Sequence, residues 1–185
     1  MVKKRELKKQ GRTMLQAGYV HVYTGNGKGK TTAAIGLALR ASGAGLKVFM
    51  QQFVKSGDFS EIKALRKISG IKISQCGLGA FIIGKPTVSD VECAQTGLLL
   101  ARENINSRNY DLVILDEINV AMRLGLIDEK EVLDMLRDRP ASVEIVLTGR
   151  GCPAAVKKCA DLVTEMREIK HPHRRGIRAR LGIEK

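Results

Sequence analysis

The sequence predicts an α/β fold in which a mostly parallel sheet is covered by helices on both faces. Three observations carry that expectation. Short apolar strands alternate with helical segments from residue 19 onward, the pattern of successive right-handed βαβ units. The run Leu112-Val113-Ile114-Leu115 is apolar at every position, as in a strand buried on both faces. A glycine-rich turn, Thr24-Gly25-Asn26-Gly27-Lys28-Gly29, joins the first strand directly to a helix.

The elements follow in order. Residues 1–18 read as a basic N-terminal arm, with a helix expected near Glu6–Leu15 and an end at Gly18. Residues 19–185 read as a single domain, a reasonable size for one hydrophobic core. Tyr19–Tyr23 is rich in β-branched and aromatic residues and reads as a strand. Ala33–Ala41 reads as a buried helix stopped by Gly43 and Gly45. Leu46–Phe53 is expected as a strand, Ser60–Ser69 as a helix and Ile71–Ser74 as a short strand. Residues 76–88 form the longest irregular stretch, broken by three glycines and Pro86. Loops of that length in compact domains often carry function. Ser89, with Glu92 three residues on, is a capping-box pattern that predicts a helix to about Asn106. Asp111–Glu117 is a strand, and Asp128 caps a helix to Arg137. Val143–Leu147 is a strand, Pro153–Ala160 a short helix and Leu162–Glu165 a last strand before a basic tail.

Composition narrows the class. The 44% hydrophobic content suits a globular core. No stretch approaches the roughly 18 apolar residues of a membrane span, and no apolar core follows the basic N-terminus as in a secretory signal. A cytoplasmic location is expected. Cys76, Cys93, Cys152 and Cys159 form no C-x-x-C pair and have no His at zinc-ligand spacing, so they read as scattered reduced thiols. The net charge of +13 favours polyanions, either nucleic acid or a nucleoside triphosphate. The excess lies at the two ends, in Lys3, Lys4, Arg5, Lys8, Lys9 and Arg12, and in Lys170, Arg174, Arg175, Arg178 and Arg180. Aromatics make up 4% with no Trp, which counts against base stacking on an exposed groove.

The glycine-rich turn is the sharpest chemical signal. Gly29-Lys30-Thr31 completes a phosphate loop of the form G-x-x-x-x-G-K-[ST], with Thr24 where the first glycine usually stands. Gly25, Gly27 and Gly29 permit positive φ, which turns successive N–H groups inward. The helix that follows adds free N–H groups and its dipole. Lys30 and Lys28 add positive charge, and Thr31 offers a hydroxyl to Mg²⁺. Asp116 and Glu117 end the apolar strand, the position at which carboxylates hold the metal or its water. Thr148-Gly149-Arg150 ends another strand, so Arg150 is a candidate phosphate donor, though a surface turn explains it equally well. His171 and His173 flank Pro172 in what reads as an exposed tail. These residues say triphosphate and leave three reactions open: hydrolysis or transfer at the γ-phosphate, a nucleic-acid motor, and a transferase using another part of ATP.

The strings Val22–Ala34, Gln52-Phe53-Val54-Lys55, Val113–Glu117, Arg139-Pro140, Leu147–Gly151, Ala160–Arg167 and Lys170-His171-Pro172 carry a resemblance. Across about residues 19–183 the chain resembles the ATP:corrinoid adenosyltransferases of the P-loop type. That resemblance implies a RecA-like P-loop fold, commonly dimeric, in which the N-terminal segment of one subunit covers the site of the other. It implies transfer of the 5′-deoxyadenosyl group of ATP to the cobalt of a reduced corrinoid, with triphosphate leaving and the nucleotide lying reversed relative to ordinary P-loop enzymes. ATP would be held by Gly25, Asn26, Gly27, Lys28, Gly29, Lys30, Thr31, Thr32 and Arg150, with Lys28 and Lys30 stabilising the leaving group. Thr31, Glu117 and Asp116 would serve Mg²⁺ or Mn²⁺. Expected partners are the corrinoid, a reductase that supplies electrons to cobalt, and a second copy of the chain; neither a membrane nor nucleic acid is expected. Where many members read Gly-x-Gly-Phe-Thr-Trp, this chain reads Gly77-Leu78-Gly79-Ala80-Phe81-Ile82, so Gly79, Phe81 and Ile82 are the corrinoid-side candidates. Where members read His-x-Phe-Asp-Ala-Gly, it reads His171-Pro172-His173-Arg174-Arg175-Gly176. The runner-up is a P-loop ATPase or nucleic-acid-associated NTPase.

Overall fold

A computed structural model describes residues 7–9, 12–79, 82 and 84–184. Its first elements differ from expectation. Strands β1 (Leu7–Lys9) and β2 (Arg12–Met14) pair antiparallel, Leu7 opposite Met14, where a helix over Glu6–Leu15 was expected. Gly11 interrupts that stretch and weakens any helix through it, while Thr13 is β-branched and favours a strand.

The remaining strands are β3 (Val20–Thr24), β4 (Val48–Phe53), β5 (Ile71–Cys76), β6 (Leu112–Asp116), β7 (Glu144–Thr148) and β8 (Leu162–Glu165). They form one parallel sheet in the order β5-β4-β6-β7-β3-β8. The strand before the phosphate loop, β3, and the strand carrying the carboxylates, β6, are therefore not neighbours. β7 lies between them, the RecA-like P-loop arrangement. All six carboxyl ends meet one rim, where sheets of this kind bind ligands.

Helices α1 (Lys30–Gly43) and α2 (Ser60–Leu65) cover one face. Helices α3 (Val88–Asn106), α4 (Ile118–Arg123), α5 (Glu129–Asp138) and α6 (Ala154–Cys159) cover the other. The period-two alternation of the strands divides the apolar residues between two layers. Val48, Met50, Leu112, Ile114 and Val146 pack under α1 and α2. Phe49, Phe53, Val113, Leu115, Ile145 and Leu147 pack under the other helices. α1 meets the sheet through Ala34, Ala38 and Ala41, whose small side chains bring its axis close. Each fully buried Leu or Ile in these layers contributes about 1.5–3 kcal/mol. α4 has only six residues, too short to show a clear period in the sequence.

α3 is capped two residues earlier than Ser89. Thr87 accepts a hydrogen bond from the Asp90 N–H at 3.2 Å, and the Asp90 carboxylate accepts from the Thr87 N–H at 2.9 Å. Two capping boxes overlap in the sequence, and the one directly after Pro86 wins: the fixed φ of proline favours an extended approach to the cap. Thr87→Ala is expected to cost about 1 kcal/mol in urea denaturation, while Ser89→Ala stays within a few tenths.

Candidate active site

The phosphate loop connects β3 to the first turn of α1 and leans on the chain that follows β8. Gly27 N–H donates to the Met166 carbonyl at 2.7 Å, and Met166 N–H donates to the Thr24 carbonyl at 2.8 Å. Gly25 has φ 94°, and a Cβ there would lie 2.4 Å from the Met166 carbonyl oxygen. Only glycine fits. Gly29, at φ 119°, turns the chain into α1. Lys30 reaches back under its own loop, its ammonium donating to the Gly25 carbonyl at 2.8 Å and the Gly27 carbonyl at 2.7 Å. Burial lowers its pKa and the nearby Glu117 carboxylate opposes that shift. Two of its three donors hold the loop, and the side chain also lines the neighbouring cavity.

Behind the loop Asp116 is fully buried and organises four elements. One carboxylate oxygen accepts from the hydroxyls of Thr31 on α1 (2.8 Å) and Thr148 on β7 (2.7 Å). The other accepts from the Gln52 amide on β4 at 3.0 Å. Thr148 in turn accepts from the Glu117 N–H at 2.9 Å. Glu117 sits at φ 61°, a left-handed conformation uncommon for a residue with a side chain. There its carboxylate pairs with Lys55 at 3.4 Å. Lys55 follows Val54, a β-branched residue that also has positive φ, 64°.

These elements line a half-open cavity of about 580 Å³. Gly27, Lys28, Gly29, Lys30, Thr31, Thr32, Arg150 and Glu117 line it together, joined by Lys55, His171 and the tail residues Gly182, Ile183 and Glu184. Gly25, Asn26 and Asp116 are not among the lining residues; Gly25 is the point where the loop touches Met166, and Asp116 supports Thr31 from the interior. Lys28 donates to the Ile183 carbonyl at 2.9 Å and to Glu184 at 3.1 Å. Arg180 holds the Glu184 carboxylate through three bonds and brings its pKa down to about 2.

The corrinoid-side candidates lie elsewhere. Ile82 lines a small separate pocket with Gly77 and Leu78, between the end of β5 and α3, while Gly79 takes φ 84° beside it. Phe81 lies outside the described residues.

Sequence reasoning gave no site role to Gln52, Lys55, Thr148, Met166 or the tail residues Gly182, Ile183 and Glu184. Gln51 and Gln52 gave a signal, two amides inside an otherwise apolar strand. Met166 gave none, because it acts through backbone atoms that any residue has.

The donor set suits magnesium. Among the described residues no group of three or more His, Cys, Asp or Glu side chains could hold a metal. A Thr hydroxyl and one carboxylate facing a phosphate loop match an ion that takes its remaining ligands from phosphates and water.

A family model described as ATP:corrinoid adenosyltransferase BtuR/CobO/CobP matches residues 16–184. The chain belongs to this family. A corrinoid adenosyltransferase of Escherichia coli K12 is 33% identical over 169 residues, covering 91% of this chain and 86% of that one. One from Pseudomonas aeruginosa PAO1 is 33% identical over 171 residues, covering 91% and 84%. One from a Sinorhizobium species is 36% identical over 173 residues, covering 91% and 81%. Membership of the ATP:corrinoid adenosyltransferases makes the chain an enzyme. Among the described residues no helix is long and apolar enough to cross a membrane.

Proposed function

We propose that the chain holds ATP by its triphosphate in the cavity above the phosphate loop and passes the 5′-deoxyadenosyl group to the cobalt of a reduced corrinoid. The observation that carries this reading is the convergence of Lys28, Lys30 and Arg150 with Thr31 and Glu117 on one cavity, inside the segment matched by the family.

In the reaction Co(I) supplies an electron pair to the 5′-carbon. The Co–C bond forms, the C5′–O bond breaks, and the electron pair of that bond leaves with the triphosphate. No general base is needed, because the nucleophile carries no proton. The protein contributes in-line positioning and stabilisation of charge on the departing group. Lys30, Lys28 and Arg150 do so from side chains, and the N–H groups of the loop and first helical turn do so from the backbone. Gly25 and Asn26 shape the loop around the phosphates, and Thr32 lines it. Thr31 and Glu117 would hold Mg²⁺ or Mn²⁺, with Asp116 orienting Thr31; the ion supplies further positive charge to the triphosphate. Gly79, Phe81 and Ile82 form the corrinoid side. The chain works as a cytoplasmic homodimer, and a separate reductase delivers electrons to the cobalt.

Product identity tests this reading. With Mg-ATP, a corrinoid and a strong reductant, the expected products are tripolyphosphate and a light-sensitive organocobalt corrinoid. Orthophosphate without adenosylation, or turnover stimulated by nucleic acid, overturns it in favour of a P-loop ATPase or nucleic-acid-associated NTPase.

A further inference from the structure

Cys76 ends β5, and Cys93 lies in the second turn of α3. Their sulfurs are 2.9 Å apart, and the Cys76 thiol also donates to the Cys93 carbonyl. Both thiols are free. The contact depends on Gly97, which shares a face of α3 with Cys93 one turn away. A Cβ at Gly97 would lie 2.9 Å from the Cys76 Cβ and 3.2 Å from its sulfur. The bare helix surface at 97 is thus what lets β5 and α3 bring the two thiols together. Neither lines the nucleotide cavity. Both line the small pocket shared with Gly77, Leu78 and Ile82.

We propose that Cys76 and Cys93 are a redox-active dithiol that closes to an intramolecular disulfide. The oxidant is a low-molecular-weight disulfide. Cys93, the more accessible of the pair, attacks it as the thiolate, breaks its S–S bond and expels one thiol. Cys76 then loses its proton and attacks the Cys93 sulfur, forming the protein disulfide and expelling the second thiol. Two electrons pass from the cysteine sulfurs to the oxidant, and the two cysteine protons end on the released thiols. Burial, reinforced by contact with Cys93, pushes the Cys76 thiol up to about 12, which suits the resolving partner better than the first attacker.

The bond would tie the end of β5 to the start of α3, on either side of the segment holding Gly79 and Ile82. On the adenosyltransferase reading, on which this consequence rests, the disulfide freezes the corrinoid side and leaves the nucleotide side alone. Corrinoid use would then follow the same reducing conditions that the cobalt requires.

The test oxidises the full chain with glutathione disulfide and maps its peptides without reductant. The expected result is a linked Cys76–Cys93 peptide lighter by two hydrogens and reversed by dithiothreitol, while exposed Cys159 carries a glutathione adduct. Cys93→Ser and Cys76→Ala should each abolish the linked peptide. Separate adducts on Cys76 and Cys93, or two free thiols once Cys159 is fully modified, overturn the dithiol. Oxidation should weaken binding of an unreduced corrinoid, titrated without reductant, about tenfold or more, leave ATP affinity within about twofold, and have no effect on Cys93→Ser. A linked peptide with unchanged corrinoid affinity overturns the coupling to the loop. A reduced chain that binds ATP but adenosylates no corrinoid overturns the functional reading instead, and the linked peptide still decides the dithiol.

Discussion

Lys30→Ala is expected to lower adenosylation by about 10²–10³-fold, the usual effect of removing one preorganised donor from a developing anion. The ammonium has two tasks. It supplies charge to the cavity, and it holds the Gly25 and Gly27 carbonyls from beneath. Alanine removes both, so ATP affinity should fall together with turnover. Lys28→Ala separates them. The Lys28 side chain is about half exposed, and it bonds to the tail rather than to the loop backbone. Its removal should therefore cost turnover less and leave the loop intact. Rates of organocobalt formation, with calorimetric titration of ATP, check both variants. A Lys30→Ala enzyme within a few-fold of the parent would refute the role assigned to that residue.

Asp116→Ala is expected to cost about 3 kcal/mol of stability, a drop of roughly 6–12 °C in Tm for a chain of this size. Three donors lose their acceptor: the half-buried Thr31 hydroxyl and the buried Thr148 hydroxyl and Gln52 amide. The hydroxyls can rotate, but the amide cannot be satisfied by turning over. Its orientation is fixed by a chain that begins at Arg66. Arg66 donates to the Gln75 amide oxygen at 3.2 Å, Gln75 donates to the Gln52 oxygen at 2.9 Å, and Gln52 donates to Asp116. Arg66 can only donate, so the chain runs in one direction. Asp116→Asn is therefore not silent: with its oxygen kept on the Gln52 N–H₂, its new N–H₂ faces the Thr31 and Thr148 hydroxyls, which must turn and accept, and Thr148 already accepts from the Glu117 N–H. Scanning calorimetry of the two variants, with Mg²⁺ dependence of turnover as a second readout, is the check. Asparagine should recover part of the stability and little of the metal dependence.

The phosphate loop and the carboxylates at the end of β6 were legible because their chemistry fixes residue type at a fixed place beside a strand. The alternation of strands and helices was legible because burial on two faces leaves an apolar run. Other features depended on competition that local pattern does not resolve. Thr87 and Ser89 both begin a capping box, and the outcome turned on Pro86. Glu6–Leu15 read as a helix, and Leu7–Lys9 and Arg12–Met14 are paired strands instead. The tail residues lining the cavity carry no motif, and Met166 makes its hydrogen bonds to the loop through backbone atoms. The Cys76–Cys93 approach was invisible because it joins positions far apart in sequence through a glycine that looks unremarkable inside α3.

The left-handed backbone at Glu117 has an evolutionary consequence. Such a conformation costs a side-chain-bearing residue on the order of 1 kcal/mol, and glycine or asparagine would relieve it. The carboxylate would be lost in the exchange. On the metal-holding role proposed for Glu117, selection for thermal tolerance and selection for catalysis pull in opposite directions at this one codon. A library screened only for heat resistance should drift toward Gly or Asn at position 117, and one screened for turnover should hold the acid.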